Sequence, residues 1–267
     1  SAYSTIGGRS ALDYLIKVKG YSFLEAVETI IGHTAIRAPV YEKPQSKEEN
    51  KPLLLPEKCA SNRVITEYLF GRGIDFEIIN YCISNDLIFE SLPYHNVVFV
   101  GYDEKKEPKY AAYRSTNKRR IMGDCSGSKK DYSFRLGKEN LEEVHLFECA
   151  IDLLSYATLA KLNGQDWKEM SFVSLSGVYS PAKKIEDSKV PIALEKYLGS
   201  NPSVRKIRIH FDNDIAGRKA AQTLKTILPD KYEIVDEPPK AGKDFNDFLC
   251  MRMGIYNKKT HERNEER

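Results

Sequence analysis

The acidic side chains with the clearest chemical potential fall into three groups that are far apart in the chain. The members are Glu148 and Asp152, then Asp212 and Asp214, then Asp244. Carboxylates brought to one place raise one another's pKa and repel unless a cation neutralises them. Mg²⁺ is the natural partner, because it prefers oxygen ligands and is commonly held by one or two carboxylates and a substrate phosphate. The pattern therefore predicts a magnesium site that acts on phosphate esters, provided that the fold brings the groups together.

The strands and helices after residue 138 are expected to bring the three acidic groups together. Short apolar runs predict strands at 144–147, 171–175, 207–211 and 232–235, and helical patterns lie between and after them at 151–162, 192–198, 216–228 and 245–251. Strands that alternate with helices indicate a mainly parallel sheet covered on both faces. Ligand sites in such sheets lie beyond the carboxyl ends of the strands, and each acidic group follows a predicted strand.

Simpler roles remain open for some of these residues. Asp214 and Asp244 each stand where an N-cap of the following helix is expected. His210 lies between Ile209 and Phe211 in an apolar strand, which favours packing over metal ligation. An EF-hand calcium loop starting at Asp212 is excluded, since Ala216 stands where an acid or amide is required and Thr223 stands where glutamate is required.

The region before the predicted sheet is basic. Helices are predicted at 62–70 and 76–83, and two strands at 96–102 and 109–114 form a hairpin. Residues 103–138, which we call the basic strip, contain 11 Lys and Arg against 5 Asp and Glu, whereas residues 139–250 contain 15 against 18. The strip predicts contact with a nucleic-acid backbone, with a solvated hairpin face as the alternative. The residues predicted to bind nucleic acid are Arg114, Arg119, Arg120, Lys129, Lys130, Arg135 and, outside the strip, Lys243, with Tyr113, Tyr132 and Phe134 as stacking faces.

Three short motifs resemble those of the Toprim domain, which bacterial primases, topoisomerases and some nucleases share. They read ECAID at 148–152, DNDIAG at 212–217 and KDFND at 243–247. The resemblance implies an α/β fold of Toprim type, with a mainly parallel sheet flanked by helices. It also implies that Glu148, Asp212 and Asp214 are catalytic, with Glu148 as general acid or base. By the same resemblance, one or two Mg²⁺ ions are held by Glu148, Asp152, Asp212, Asp214 and Asp244.

The resemblance extends to the rest of the chain. Residues 1–32 are similar to the helical end of the zinc-finger domain that precedes Toprim in bacterial primases, but the zinc cysteines are absent, so zinc is expected only if a finger lies upstream. Residues 33–56 are expected to be a linker, 57–138 a basic α+β subdomain similar to the amino-terminal part of the primase core, 139–250 the Toprim domain and 251–267 a polar tail. The whole chain is similar to uncharacterised Toprim-like proteins of bacterial conjugative and other mobile elements.

Composition excludes several other classes. The chain has 267 residues and a mass of 30.5 kDa, with 41% hydrophobic and 30% charged residues, which is typical of globular proteins. No apolar run approaches the roughly 20 residues that span a bilayer, and no signal peptide is recognised, so we expect a cytoplasmic protein without a membrane partner. The cysteines stand at least 23 residues apart, so no CxxC pair predicts zinc binding.

Three functions follow as hypotheses. The first is Mg²⁺-dependent, primase-like nucleotidyl transfer on single-stranded DNA, with nucleotides as substrates. The second is a Toprim nuclease that uses the same carboxylates with water as nucleophile. The third is a DNA-binding accessory module of a mobile element without catalysis, which Cys149 favours because the family usually has glycine after its motif glutamate. A role in DNA replication, with a helicase or relaxase as a further partner, agrees with the resemblance.

Overall fold

The computed structural model describes residues 51–117, 121–177, 179–182 and 184–255, and the single positions Leu15 and Lys19. The chain divides into two units, Ser1–Glu49 and Asn50–Arg267, and the fold below is that of the second. The predicted helical segment 1–32, most of the linker 33–56 and most of the tail 251–267 lie outside the described residues. The predicted domain boundaries stay predictions.

The elements lie in two sheets with helices packed against them. The α-helices between residues 51 and 255 are α1 (Arg63–Phe70), α2 (Phe76–Ser84), α3 (Ala150–Leu162), α4 (Ile192–Ser200), α5 (Ile215–Ile227) and α6 (Phe245–Arg252). The strands are β1 (Ile88–Glu90), β2 (Val97–Tyr102), β3 (Pro108–Arg114), β4 (Met122–Asp124), β5 (Arg135–Gly137), β6 (Glu143–Phe147), β7 (Ser171–Ser174), β8 (Lys206–His210) and β9 (Glu233–Asp236). Short 3₁₀ helices span Lys130–Tyr132, Trp167–Glu169 and Ile185–Asp187.

The first sheet is antiparallel with strand order β1-β2-β3-β4. The predicted hairpin is confirmed, because β2 pairs with β3 from Val97 opposite Arg114 to Gly101 opposite Tyr110. Its turn is held by Asp103, whose Oδ1 accepts hydrogen bonds from the amides of Lys105 and Glu107, both at 2.9 Å. An aspartate that binds the amides ahead of it stabilises a tight turn.

The second sheet has the order β5-β7-β6-β8-β9, in which β5 is antiparallel and all other neighbours are parallel. The predicted mainly parallel sheet flanked by helices is thereby confirmed. Side chains alternate across the central strand β6: Val144 and Leu146 join one apolar cluster, and Phe147 joins the other. Both clusters are buried, which fixes the register of β6 and therefore the position of the residue that follows it.

Three strands were not predicted from the sequence: β1, β4 and β5. Each has three residues, which is too short to display an alternating pattern, and each is held by pairing with a longer neighbour. No helix among the described residues is long and apolar enough to cross a membrane.

Candidate active site

The three acidic motifs meet at the carboxyl ends of β6 and β8 and at the start of α6. The amide of Asp212 donates to Glu148 Oε1 at 3.1 Å, which ties the second motif to the first. The amide of Asn213 donates to the Lys243 carbonyl at 2.7 Å, and the amide of Asn246 donates to Asp152 Oδ1 at 3.2 Å. Residues separated by up to about a hundred positions in sequence are therefore joined by direct hydrogen bonds.

Glu148 is the buried acid of this cluster. It follows β6 directly and is 5% exposed. Burial and the neighbouring charge of Asp212 raise the pKa of Glu148 to about 7, against the lowering effect of the Asp212 amide. A carboxyl with a pKa near 7 exchanges a proton readily at neutral pH, which is the property required of a general acid or base.

Gly217 allows this approach of the motifs. A Cβ at this position would lie 2.2 Å from the Asp212 carbonyl oxygen and 2.9 Å from Glu148 Oε1. Both distances are shorter than van der Waals contact. The glycine that ends the DNDIAG motif therefore permits the first turn of α5 to pack against the loop after β8 and against the Glu148 carboxylate.

Asp212 and Asp214 share one cationic partner, the ammonium group of Lys243. Lys243 Nζ lies 3.2 Å from Asp212 Oδ2 and 3.2 Å from Asp214 Oδ2. Burial raises the pKa of Asp212, although Lys243 counteracts this. Asp214 is also the predicted N-cap: its Oδ1 accepts from the Gly217 amide at 2.9 Å, and this bond, with the help of Lys243, lowers its pKa. Lys243 is 58% exposed, so its side chain has room to move away.

Asp152 and Asp244 flank the pair. Asp152 is buried in the first turn of α3, and its Oδ2 accepts from the thiol of Cys149 at 2.8 Å. Burial, followed by the charge of Asp244, raises the pKa of Asp152. Asp244 caps α6, since its Oδ1 accepts from the Asp247 amide at 2.7 Å. Cys149 adopts φ −139°, an extended conformation open to any residue, so the backbone here does not require glycine.

The donor set fits Mg²⁺ in chemistry and in charge. All the side chains concerned offer carboxylate oxygens, and the raised pKa values of Glu148, Asp152 and Asp212 indicate negative charge that the protein does not balance. Among the described residues, no three of these carboxylates have oxygens within 4.8 Å of one another. Lys243 Nζ lies between two of them. A divalent ion held by Asp212 and Asp214 would compete with this ammonium group for their oxygens.

Two further residues beside the site, Tyr68 and Arg72, were not assigned a role from the sequence, and both lie next to Arg114, which was predicted to bind nucleic acid. Arg114 Nε donates to the Tyr68 hydroxyl at 3.1 Å, and the guanidinium of Arg72 lies 5.7 Å from the centre of the Tyr68 ring. Arg72 Nε is buried, with no hydrogen-bond partner in the described part of the chain. Burial and the charge of Asp244 raise the pKa of Asp247, and the charge of Arg72 counteracts this in part. In the sequence, the feature that could have pointed to Arg72 is its position between two glycines in the break between the predicted helices. In the structure, Gly73 has φ +82°.

The described residues of the basic strip have different surroundings. Arg135 is 17% exposed, lies over the Tyr197 ring at 5.2 Å and donates to the Asp131 carbonyl. Lys130 pairs with Asp124 at 3.1 Å. Lys129 is exposed, and Arg114 is half-buried near Cys149. Arg119 and Arg120 lie outside the described residues.

The three aromatic residues predicted to stack on bases also have different surroundings. Phe134 is 1% exposed and packs edge-on against Phe99, so it offers no stacking face on the outer surface. Its apolar ring serves the core, which a sequence count of aromatics near lysines does not reveal. Tyr132 is covered by Lys196, whose Nζ lies 5.0 Å from the ring centre. Tyr113 and Phe134 both line a cavity of about 260 Å³ next to Cys149.

Comparison with known proteins identifies two families along the chain. Residues 145–249 match a family described as Toprim-like, and residues 67–140 match a family described as protein of unknown function (DUF3991). No curated protein sequence matches the chain.

Several solved structures are similar in fold at low sequence identity. The primase fragment of the bacteriophage T7 primase-helicase protein is 18% identical, with a TM-score of 0.47, covering 70% of this chain and 69% of that chain. A DNA primase domain from Pseudomonas aeruginosa is 15% identical, with a TM-score of 0.46 and coverage of 72% and 68%. The E. coli primase catalytic core is 12% identical, with a TM-score of 0.46 and coverage of 76% and 72%. The match to the family model and the meeting of the three motifs beyond the ends of parallel strands lead to the same assignment: residues 145–249 of this chain are a Toprim-like domain.

Proposed function

We propose that this protein performs Mg²⁺-dependent phosphodiester chemistry on nucleic acid, in the form of primase-like nucleotidyl transfer on single-stranded DNA. The observation that carries the proposal is the buried Glu148, with a pKa of about 7, bonded to the loop that presents Asp212 and Asp214. A proton-exchanging group and two cation-binding carboxylates at one place are what phosphoryl transfer requires.

Each residue of the cluster has a part in the proposal. Glu148, Asp212 and Asp214 would hold the metal, with Asp152 and Asp244 behind them. Bound Mg²⁺ would supply electrostatic stabilisation of the charge on the phosphoryl oxygens. Glu148 would accept the proton of the attacking 3′-hydroxyl while that oxygen bonds to the α-phosphorus of the nucleotide and pyrophosphate leaves. Cys149 and the Asn246 amide position Asp152 by hydrogen bonds to its two oxygens.

The cavity beside Glu148 suits a nucleobase. It has a volume of about 260 Å³, and its lining is largely apolar, with Phe99, Tyr113 and Ile151 among the lining residues. Ser176, at its edge, has a buried Oγ without a hydrogen-bond partner in the described chain, which offers a polar contact to a base. The amide of Gly177 donates to the Glu148 carbonyl at 3.0 Å, so this edge is tied to the catalytic strand end. A base held there would place its phosphates near the carboxylates.

Arg72 and Arg114 would contact those phosphates. Both lie against Tyr68, and the unsatisfied Nε of Arg72 lacks the partner that a buried donor normally has. A phosphate oxygen would satisfy it. We therefore place the nucleic-acid contact at Arg72 and Arg114 and give the scattered strip residues Lys129 and Lys130 a lesser part.

The test separates three activities. The full chain would be incubated with single-stranded template, nucleotides and Mg²⁺, then with end-labelled DNA alone, and its DNA binding would be measured over a range of salt concentrations. Nucleotide-dependent products that disappear in Glu148→Gln, with binding retained, support the proposal. The matched control is Glu195→Gln on the exposed side of α4, which should not change activity. Cleavage of labelled DNA in the absence of nucleotides would contradict the proposal and show that the protein is a nuclease.

One observation favours a second candidate, a DNA-binding accessory module without catalysis. Lys243 Nζ already pairs with both Asp212 and Asp214, at the place where a bound cation would contact them. If neither synthesis nor cleavage occurs, and salt-sensitive binding is the same in Glu148→Gln as in the parent chain, this second function is the correct one. A helicase or relaxase partner stays a prediction from the sequence.

A further inference from the structure

We propose that Cys59, Glu90 and His95 form a zinc-binding site, separate from the carboxylate cluster. One ligand atom from each residue lies within 4.8 Å of those of the other two. Among the described residues, this is the only group of three or more Cys, His, Asp or Glu side chains that meets this distance. The three residues stand on three segments: the chain before α1, the end of β1 and the turn between β1 and β2.

The type of donor selects the metal. A thiolate, an imidazole and a carboxylate together suit Zn²⁺, which accepts sulfur, nitrogen and oxygen, whereas Mg²⁺ prefers oxygen alone. Zinc–ligand distances of about 2.0–2.3 Å place the donor atoms of one zinc ion roughly 3.3–3.8 Å apart. The observed group is within about 1 Å of that spacing, so side-chain rotations would suffice.

Glu90 is held in place from behind, as metal-binding carboxylates usually are. It is 2% exposed, and its Oε2 accepts from the amides of Val64 at 2.9 Å and Ile65 at 3.2 Å. The other oxygen, Oε1, lies 2.6 Å from His95 Nδ1. The hydrogen bonds to one oxygen orient the other towards the proposed metal position.

The backbones of the other two ligands are also fixed. The Cys59 amide donates to the Glu90 carbonyl at 2.7 Å, which keeps the cysteine beside the end of β1. The His95 amide donates to the Ser91 carbonyl at 2.8 Å, and its carbonyl accepts from Thr116 Oγ1 at 3.0 Å. Metal binding would therefore order few additional groups, which favours affinity.

The hydrogen bond between Glu90 and His95 explains why two of the residues meet, but it does not explain the third. Cys59 is a free, half-buried thiol, and no helix or strand requires a cysteine there. The His95 side chain is 46% exposed, so a solvent molecule can reach a metal held at this place. The site would thus provide three protein ligands and one water, and it would tie the start of α1 to the β1–β2 turn.

The experiment uses Co²⁺ as a spectroscopic probe with the reduced full chain, in excess Mg²⁺ so that the carboxylate cluster is filled. We expect one equivalent of Co²⁺ to produce a thiolate-to-cobalt charge-transfer band and visible bands of four-coordinate cobalt, both abolished by Zn²⁺. Zn²⁺ should also raise the midpoint of thermal unfolding. Cys59→Ser should remove the charge-transfer band, and His95→Gln should weaken binding by tenfold or more.

The matched control is Cys125→Ser, which removes a thiol outside the proposed site and should leave the cobalt spectrum unchanged. The proposal is overturned if the parent chain gives no charge-transfer band, or if the band survives Cys59→Ser. Both ligand variants lie at exposed or half-buried positions and keep the helix cap at Glu90, so folding does not obscure the result. DNA synthesis is not part of the readout, so failure of this site and failure of the proposed function are distinguishable.

Discussion

Two glutamates, Glu90 and Glu148, end strands in this protein and are almost equally buried, yet their surroundings give them opposite properties. Glu90 is 2% exposed and Glu148 is 5% exposed. At Glu90, burial acts to raise the pKa, but hydrogen bonds from His95 and from the amides of Ile65 and Val64 outweigh it, and the pKa is lowered. At Glu148, burial and neighbouring charge prevail, and the pKa rises to about 7.

The difference shows what a buried carboxylate does for a fold. Glu90 stabilises its surroundings, because hydrogen-bond donors from a helix terminus and a histidine converge on it. At Glu148, burial and the like charges of Asp212 and Asp214 oppose ionisation and Lys243 compensates only in part, so we expect the ionised carboxylate to cost stability. Unbalanced charge that costs stability is typical of functional sites. The following predictions test that contrast.

The largest effect is expected from Glu90→Ala. It leaves the amides of Val64 and Ile65 buried without an acceptor, so we expect a loss of about 3 kcal/mol or more in the free energy of unfolding. Denaturant unfolding in the presence of a chelator measures it without a contribution from bound metal. The control is Glu67→Ala, on the exposed side of the helix α1 that also contains Val64 and Ile65. It should change the free energy of unfolding by less than about 0.5 kcal/mol. Equal losses for the two variants would contradict the stabilising role of Glu90.

Glu148→Gln should raise the free energy of unfolding at alkaline pH, whereas Glu90→Ala lowers it. A carboxyl whose pKa is raised in the folded state loses stability as the pH rises, because the unfolded chain ionises near 4.5 and the folded one near 7. The variant lacks this loss, so at pH 8 without divalent ions we expect it to be more stable by up to about 3 kcal/mol, with no difference near pH 4.5. Unfolding curves over this pH range provide the measurement. A variant less stable than the parent at pH 8 would show that Glu148 is a structural residue.

Gly217→Ala tests the close packing of the site itself. The added Cβ would meet the Asp212 carbonyl and Glu148, so we expect a loss of about 1–3 kcal/mol and a change in the Glu148 pKa. Gly199→Ala in α4 is the matched control, because a Cβ there meets no atom within 4 Å. That change should be neutral or stabilise by up to about 1 kcal/mol. If both alanines are tolerated alike, the glycine is not required by the site.

The smallest effect on stability is expected from Lys243→Met. Lys243 and its partners Asp212 and Asp214 are partly exposed, so the loss in the free energy of unfolding should stay within about 1 kcal/mol. The pKa values of Asp212 and Asp214 should rise, and Mg²⁺ should bind more tightly, because the ammonium group no longer competes. Carboxyl titration by NMR and calorimetry with Mg²⁺ measure the two effects, with Lys240→Met as an exposed control. Weaker Mg²⁺ binding in the variant would mean that Lys243 assists the metal instead of replacing it.

Much of the architecture was predictable from local pattern. The strands and helices from residue 143 to residue 252 follow apolar runs and helical periods that the sequence displays, and the hairpin of β2 and β3 is visible in the same way. His210 was predicted to pack and does so, buried against Phe147. Strands β1, β4 and β5 were missed, since three residues carry no period. The burial of Phe134 and Arg135, which are 1% and 17% exposed, was not predicted either, because residue type does not reveal burial.

The sequence by itself determined which chemical groups are present and, because each acidic motif follows a predicted strand of a parallel sheet, it predicted that the motifs lie beyond the carboxyl ends of the strands. Only the tertiary structure decided the protonation preference of Glu148, the position of Lys243 between two aspartates, and the meeting of Cys59 with Glu90 and His95 across more than thirty residues. The physical reason is that pKa values, ion pairs and metal ligation depend on distances of a few ångströms and on exclusion of water. The order of residues in the chain fixes neither these distances nor the exclusion of water until the core has formed.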